Sequence, residues 1–348
     1  GDLWLGDVGW QLWEMVHQVK AGGNYGWSIV EGPQSVHPEG ERGPAPITPA
    51  IRSYPRSEGA SVTGGYFYYG KRLPKLQGSY IYGDYVTGKI WGLRHDGNKM
   101  TSHQELTDST FAIIAFYETS EGEIAFLDYN GGTIHQLVPN QQPDTSGAFP
   151  RKLSDTGLFR SVKNHEPASG VIPFSINAPQ WQDHATAQYL VAIPGTGSVN
   201  LRIPTARVPL DWGTFPKDMV LVKTLTMEME RGKPSSKRRI ETQLLHLQGN
   251  TWRGNSGEWA GYTYIWNEAQ TEATLAPAGG TDLEFSVQDP TAPGGKRQHR
   301  WHVASRTECY QCHNPWTGYR LAFTPAQLNK IHDYDGTQDK QLRTLKHI

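Results

Sequence analysis

The feature that most constrains this chain is a repeat. Gly83-Asp84-Tyr85-Val86-Thr87-Gly88-Lys89-Ile90-Trp91-Gly92-Leu93 aligns with Leu127-Asp128-Tyr129-Asn130-Gly131-Gly132-Thr133-Ile134-His135-Gln136-Leu137, so that Asp84/Asp128, Tyr85/Tyr129, Gly88/Gly132, Ile90/Ile134 and Leu93/Leu137 each stand 44 residues apart. Each copy reads as a strand, an Asp-aromatic turn, a glycine and a closing strand. A period of about 40–50 residues with short strands marks a β-propeller blade, a unit that cannot bury its apolar face alone. Leu5-Gly6-Asp7 reads as a further copy. Residues 1–138 then hold about three blades, too few to close a ring. Alternation and turn residues place strands at 2–6, 13–20, 65–69, 79–83, 88–94, 111–117, 123–128 and 132–138.

Composition agrees with short strands and many turns. The 348 residues include 38 Gly, 23 Pro, 12 Trp, 16 Tyr and 10 Phe, a set that suits β structure over a helical bundle. A net charge of −1 leaves no electrostatic footprint for nucleic acid or an anionic membrane. No run approaches the roughly 18 apolar residues of a spanning helix. The chain starts in a strand without Met and stops inside a helical pattern, so it reads as a piece of a longer precursor.

Residues 139–150 form a polar, Pro- and Gly-containing linker. Beyond it, apolar or alternating runs at 171–177, 189–193, 219–227, 239–248 and 262–266 suggest a sandwich-like domain over 151–295. Helix is expected only late, at 324–332 and 338–348, with Thr324 as N-cap and Pro325 at the first helical position. The expected fold class is thus mainly β: a partial β-propeller, then a β-sandwich-like domain, then a short helical segment over 296–348.

That last segment is defined by Cys309-Tyr310-Gln311-Cys312-His313, which holds both cysteines of the chain. It is the pattern of c-type haem attachment, in which two thiols add to the haem vinyl groups and the following His reaches the iron. A reactive dithiol and half of a zinc site are the alternatives; the first lacks a thioredoxin-like context and the second lacks further cysteines. For the sixth iron position His347 and then His332 are the candidates, with His299 and His302 upstream. No Met follows the motif, and Met219, Met227 and Met229 fall in strand patterns. The basic run Lys296-Arg297-Gln298-His299-Arg300 is a candidate partner for haem propionates, or a solvated face. Trp301, Tyr310, Trp316, Tyr319 and Phe323 would pack the macrocycle, or serve as ordinary core.

A resemblance covers residues 1–138. Gly6-Asp7-Val8-Gly9, Trp13-Glu14, Gly22-Gly23-Asn24-Tyr25-Gly26-Trp27, Ser61-Val62-Thr63-Gly64-Gly65-Tyr66 and Tyr80-Ile81-Tyr82-Gly83-Asp84-Tyr85 through Gly88-Lys89-Ile90-Trp91 occur in an order that resembles the last blades of the glucose/sorbosone dehydrogenases, the soluble pyrroloquinoline quinone (PQQ) sugar dehydrogenases. The resemblance implies a six-bladed propeller whose catalytic His lies upstream of residue 1. It also implies PQQ and Ca²⁺ in the full-length protein, with Glu14 and Tyr25 as the calcium-binding candidates, although Glu14 is one position away from the family's acid. The family's basic residues before the last strand are missing, since the turn here is Tyr85-Val86-Thr87. Residues after 150, with Gly170-Val171-Ile172-Pro173-Phe174, Arg239-Ile240-Glu241-Thr242, Tyr264-Ile265-Trp266-Asn267 and Ser305-Arg306-Thr307-Glu308-Cys309, resemble an uncharacterised bacterial family of haem-carrying proteins.

Together these readings lead to an exported oxidoreductase that relays electrons from sugar or alcohol oxidation through a covalent haem. Its expected partners are an electron donor or acceptor protein or a second haem domain, with the missing blades or a partner chain covering the open edges. Its expected location is periplasmic or extracellular. The alternative is a non-catalytic conduit or scaffold with a degenerate propeller.

Overall fold

The computed structural model, which describes residues 2–141, 146–201, 213–248, 259–314 and 317–347, is mainly β with antiparallel sheets throughout. The chain divides into two compact units, Gly1–Asp144 and Thr145–Ile348. Among the described residues no helix is long and apolar enough to cross a membrane.

The first unit contains β1 (Leu3–Asp7), β2 (Trp13–Val19), β3 (Val30–Glu31), β4 (Gln34–Ser35), β5 (Arg52–Pro55), β6 (Val62–Phe67), β7 (Tyr80–Asp84), β8 (Lys89–His95), β9 (Met100–Asp108), β10 (Ile113–Glu118), β11 (Ile124–Asp128) and β12 (Thr133–Gln136). They pair as β1-β2-β5, β6-β7-β8-β9 and β10-β11-β12, with β3-β4 a small separate ribbon. Strand β6 lies against both β1 and β10, so the three larger sheets stand side by side like blades. Gly6 and Gly64 let β1 and β6 approach closely: a Cβ on either would fall 2.8–2.9 Å from the other's backbone nitrogen. Val16, Tyr54, Tyr82 and Trp91 form one buried apolar layer, and Ile81, Ile90, Ile113, Phe116 and Phe126 another. Strand β9 was not expected, because its residues are mostly exposed and carry no apolar alternation.

The 44-residue repeat is a repeat of geometry. In one copy Asp84 Oδ1 accepts from the backbone N–H groups of Val86 and Thr87 at 3.0 and 2.9 Å. Its Oδ2 accepts from Ala60 and Ser61 N–H at 2.7 and 2.8 Å, on the segment entering β6. In the other copy Asp128 accepts from Ala112, Asn130 and Gly131 N–H at 3.0, 3.2 and 2.7 Å. Gly88 and Gly132 close the two turns at φ 71° and 60°, a left-handed conformation that glycine adopts without Cβ strain.

The second unit contains β13 (Phe159–Ser161), β14 (Glu166–Pro167), β15 (Val171–Phe174), β16 (Thr186–Ala192), β17 (Val220–Glu228), β18 (Lys237–Leu247), β19 (Trp259–Trp266), β20 (Ala273–Leu275), β21 (Thr281–Gln288), β22 (Lys296–Val303), α1 (Arg306–Cys312), α2 (Pro325–Leu328), β23 (Ile331–Tyr334), β24 (Thr337–Lys340) and α3 (Gln341–His347). Strands β15 to β20 form one six-stranded antiparallel meander. One face carries Val222, Leu244, Tyr262, Tyr264 and Trp266, packed against Leu153, Leu158 and Phe159. The other face carries two apolar clusters. Leu221, Leu245 and Trp259 pack with Phe323 and Leu328, whereas Leu225 and Met227 pack with Trp301 and Val303.

Three expectations are corrected. The boundary at 295/296 cuts a hairpin, since β21 and β22 pair from Thr281↔Val303 to Gln288↔Lys296. The expected helix 324–332 stops at Leu328 and gives way to β23, and 338–348 begins as β24, because these residues pair as a hairpin from Ile331↔Lys340 to Tyr334↔Thr337. Thr324 does cap α2, its side chain accepting from Gln327 N–H, with Pro325 in the first turn.

Candidate functional site

The Cys-x-x-Cys-His segment is local in origin. Ser305 caps α1 by accepting from Glu308 N–H at 3.1 Å, and the Glu308 carboxylate accepts from Ser305 N–H at 2.8 Å, a capping box. One short helix thus carries Cys309 and Cys312, with His313 as its C-cap. Both cysteines are free thiols; Cys312 is exposed and Cys309 faces the sheet. Cys309 rests on Gly261 of β19, where a Cβ would come 2.7 Å from its sulfur, so glycine makes the seat. The His313 Nδ1 lies 2.7 Å from the Tyr319 carbonyl oxygen. A ring that donates from Nδ1 to that carbonyl leaves its Nε2 lone pair available to a metal.

The sheet beneath α1 is polar in one row. Tyr189, Lys223, Gln243 and Thr263 stand opposite one another across β16 to β19, next to the row that holds Glu241. Glu241 is buried and accepts from Gln243 Nε2 at 2.5 Å and from Trp301 Nε1 at 3.2 Å. Burial pushes the Glu241 carboxyl up and the Lys223 ammonium down, with the two opposite charges partly offsetting this. Burial, reinforced by Glu241 and Glu308, pushes the Cys309 thiol up to about 12. Burial also holds His313 below the usual imidazole range. A reactive dithiol requires the reverse, a thiol pulled down towards neutrality.

The other haem candidates separate. His332 on β23 has Nδ1 2.9 Å from Ser175 Oγ, while its buried Nε2 has no hydrogen-bond partner among the described residues. His347 ends α3, and its side chain lies outside the described residues, as does Trp316. His302 is held at both nitrogens, by Asp282 at 2.8 Å and Glu308 at 3.0 Å, and these carboxylates raise its pKa. The basic run 296–300 is a strand of the hairpin, with Arg297 3.7 Å from Asp289 and Arg300 paired to Asp282. Met219, Met227, Trp301 and Phe323 are sheet core.

In the first unit the calcium candidates serve the backbone. Glu14 is fully buried; Arg56 pairs with its Oε1, and Val62 N–H donates to its Oε2 at 2.8 Å. Burial pushes Glu14 up to about 7, although the Val62 N–H and the Arg56 guanidinium draw it down. The Tyr25 hydroxyl accepts from Lys20 N–H at 2.6 Å and donates to Gln18 O at 3.3 Å. Among the described residues no group of three or more His, Cys, Asp or Glu side chains is placed to hold a metal ion. Sequence reasoning missed two further carboxylates of this kind. Glu31 Oε1 accepts from Gln11, Leu12 and Trp13 N–H, and Glu123 Oε1 accepts from Lys71 and Arg72 N–H. Each reaches a partner 18 to 52 residues away, and no local motif marks such a contact.

The blade-like sheets and their aspartate-clamped turns define the class of the first unit. Residues 1–135 match the Glucose / Sorbosone dehydrogenase family and form a domain of that kind. The HIPL1 protein of Arabidopsis thaliana is 39% identical over 98 residues, 24% of this chain and 14% of that protein. The HIPL2 protein of the same plant is 35% identical over 96 residues, with the same coverage of 24% and 14%. The chain therefore spans 14% of the length of these curated relatives. A crystal structure of a glucose dehydrogenase is similar over 37% of this chain and 38% of that chain, at 20% identity and a TM-score of 0.30.

Proposed function

We propose that the protein is an exported oxidoreductase that carries one covalent haem c at Cys309 and Cys312, with His313 on the iron. The observation that supports this is the C-cap imidazole of α1, whose Nδ1 is engaged by the Tyr319 carbonyl, so that Nε2 would be the coordinating nitrogen. The donor set fits the group: two free thiols on one helix followed at once by an oriented imidazole. Bound haem supplies one-electron transfer. The chain's own residues would hold it, with Gly261 giving Cys309 room against the sheet and His332, tethered through Nδ1, or His347 as sixth ligand. Electrons would come from sugar or alcohol oxidation at the full-length propeller, with PQQ and Ca²⁺ there, and pass to an acceptor protein or a second haem domain. Haem c attachment outside the cytoplasm makes the location periplasmic or extracellular.

A second reading is a non-catalytic conduit or scaffold with a degenerate propeller. It draws on the Arg56–Glu14 pair, which occupies the one carboxylate expected beside Tyr25 to hold calcium. The experiment is expression in a bacterium that attaches haem c, followed by the pyridine haemochrome spectrum of the denatured protein. Covalent colour that persists, and is lost in a Cys309→Ala/Cys312→Ala variant, is the expected result; complete extraction by acid-acetone ends the reading. Sugar-dependent dye reduction by the full-length protein then decides between enzyme and conduit.

A further inference from the structure

We propose that Lys223, with Tyr189 beside it in the polar row beneath α1, is a carboxylate-binding site whose ligand is a propionate of the haem attached at Cys309 and Cys312. The inference rests on the haem reading, and it holds whether the propeller is catalytic or degenerate.

Lys223 stands where a charge is least expected. On β17 it lies between Leu221 and Leu225, which belong to the two apolar clusters of this face of the sheet. It is half-buried, opposite Tyr189 on β16 and Gln243 on β18. Among the described residues its ammonium makes no hydrogen bond and no ion pair, and the Tyr189 hydroxyl makes no hydrogen bond either. Glu241 in the next row acts on Lys223 through space only, since its oxygens accept from Gln243 Nε2 and Trp301 Nε1. A cation held among apolar side chains calls for an anion whose oxygens accept its hydrogen bonds.

Two observations turn this site towards the haem. The ammonium is close enough to both motif thiols and to the His313 ring to interact with them electrostatically. Gly261, the seat of Cys309, lies on the same face two strands from Lys223. At about 4.8 Å per strand, that separation is about 10 Å across the sheet. Propionates leave the macrocycle on the edge away from the vinyl groups, so their partner must stand apart from the thiols and still close to the motif. Neighbouring cations are engaged elsewhere. Arg297 and Arg300 face Asp289 and Asp282, Arg306 stacks at 5.0 Å on Tyr262 of the opposite face, and Arg320 lies 4.1 Å over the Phe215 ring.

The chemistry selects a carboxylate. An ammonium offers three donors and a phenol one, and an ionised carboxylate has two oxygens that only accept. Such charge-assisted bonds are about twice as strong as neutral ones. A free carboxylate would meet the same donors from dilute solution, whereas a propionate tethered through two thioethers meets them at a high effective concentration.

The test uses the whole chain with haem c attached, as wild type, Lys223→Met and Lys223→Arg. The pyridine haemochrome is read first. Its absence from the wild type ends the haem reading and this proposal together; with haem present, the remaining readouts judge the proposal alone. Resonance Raman spectroscopy follows the propionate-bending band, and spectroelectrochemistry gives the midpoint potential. Lys223→Met should keep its covalent haem, shift the band and lower the potential, because a cation that favours the reduced iron is gone. A tenfold rise in the oxidised-to-reduced ratio at fixed potential, about 59 mV, is expected. Lys223→Arg keeps the charge and the donors, and should stay near the wild type in both readouts. An unmoved band or an unmoved potential in Lys223→Met, or a change in Lys223→Arg as large as that in Lys223→Met, overturns the proposal.

Discussion

The two units are both antiparallel β, yet they secure their strands in different ways. In Gly1–Asp144 buried carboxylates do it: Asp84, Asp128, Glu31 and Glu123 each accept several backbone N–H groups from turns that would otherwise hold unpaired donors. In Thr145–Ile348 the central sheet is buried on both faces by apolar clusters. A chain of neutral contacts runs through it: Trp266 Nε1 donates to Thr242 Oγ1 at 2.9 Å, Thr242 bonds Thr224, and Thr224 bonds His165 Nε2 at 2.9 Å, with Glu241 the buried carboxylate of the other face. A short-stranded unit with many turns has many backbone donors to satisfy, and one carboxylate satisfies several at once. A wide sheet satisfies its donors along its own ladder and needs only covering.

The comparison breaks most visibly at Asp84. Asp84→Ala leaves six donors without their acceptor, those of Val86, Ala60, Ser61, Tyr54 and both the N–H and hydroxyl of Thr87. The expected cost is about 4 kcal/mol or more, with Asp128→Ala, which releases three, costing roughly half as much. Urea unfolding of the two variants measures this, and equal small losses would show that the clamps are incidental.

The second unit should instead respond to acid through a half-buried histidine, His165. Burial, helped by Arg239, depresses His165 from 6.5 to about 4. The folded state thus resists protonation more than the unfolded chain does. Stability from this group is complete above pH about 6.5 and is lost as pH falls through about 4, by at most about 3 kcal/mol. His165→Asn, whose side chain tolerates the φ of 55° at this position, should flatten that part of the profile. An unchanged acid slope in calorimetry would assign it to other groups.

The smallest effect belongs to α1. Ser305→Ala removes one half of the capping box and should cost about 1 kcal/mol in the second unit. A loss confined to that unit's transition in calorimetry checks it. No change would mean that packing on Gly261 alone holds the helix.

What the sequence determined by itself was whatever rests on neighbours along the chain. Strands β7, β8, β11 and β12 were legible because alternation and Gly turns are local, and so were the aspartate turns, the Thr324 cap and the spacing of Cys309, Cys312 and His313. The hairpin β23–β24 was misread as helix because its polar, weakly periodic residues carry no two-residue alternation strong enough to outweigh the flanking helix signals. Only the tertiary structure decided what depends on distant partners. Glu14 lies on a strand, but its pairing with Arg56, 42 residues on, decides that it fastens a blade. Gly261 is unremarked until Cys309 lands on it, and His17 looks like any strand histidine until the fold buries it on a cavity wall with neither ring nitrogen hydrogen-bonded among the described residues. A hydrogen bond or a void between distant segments leaves no periodicity in sequence, because the fold, and no local spacing, brings those residues together.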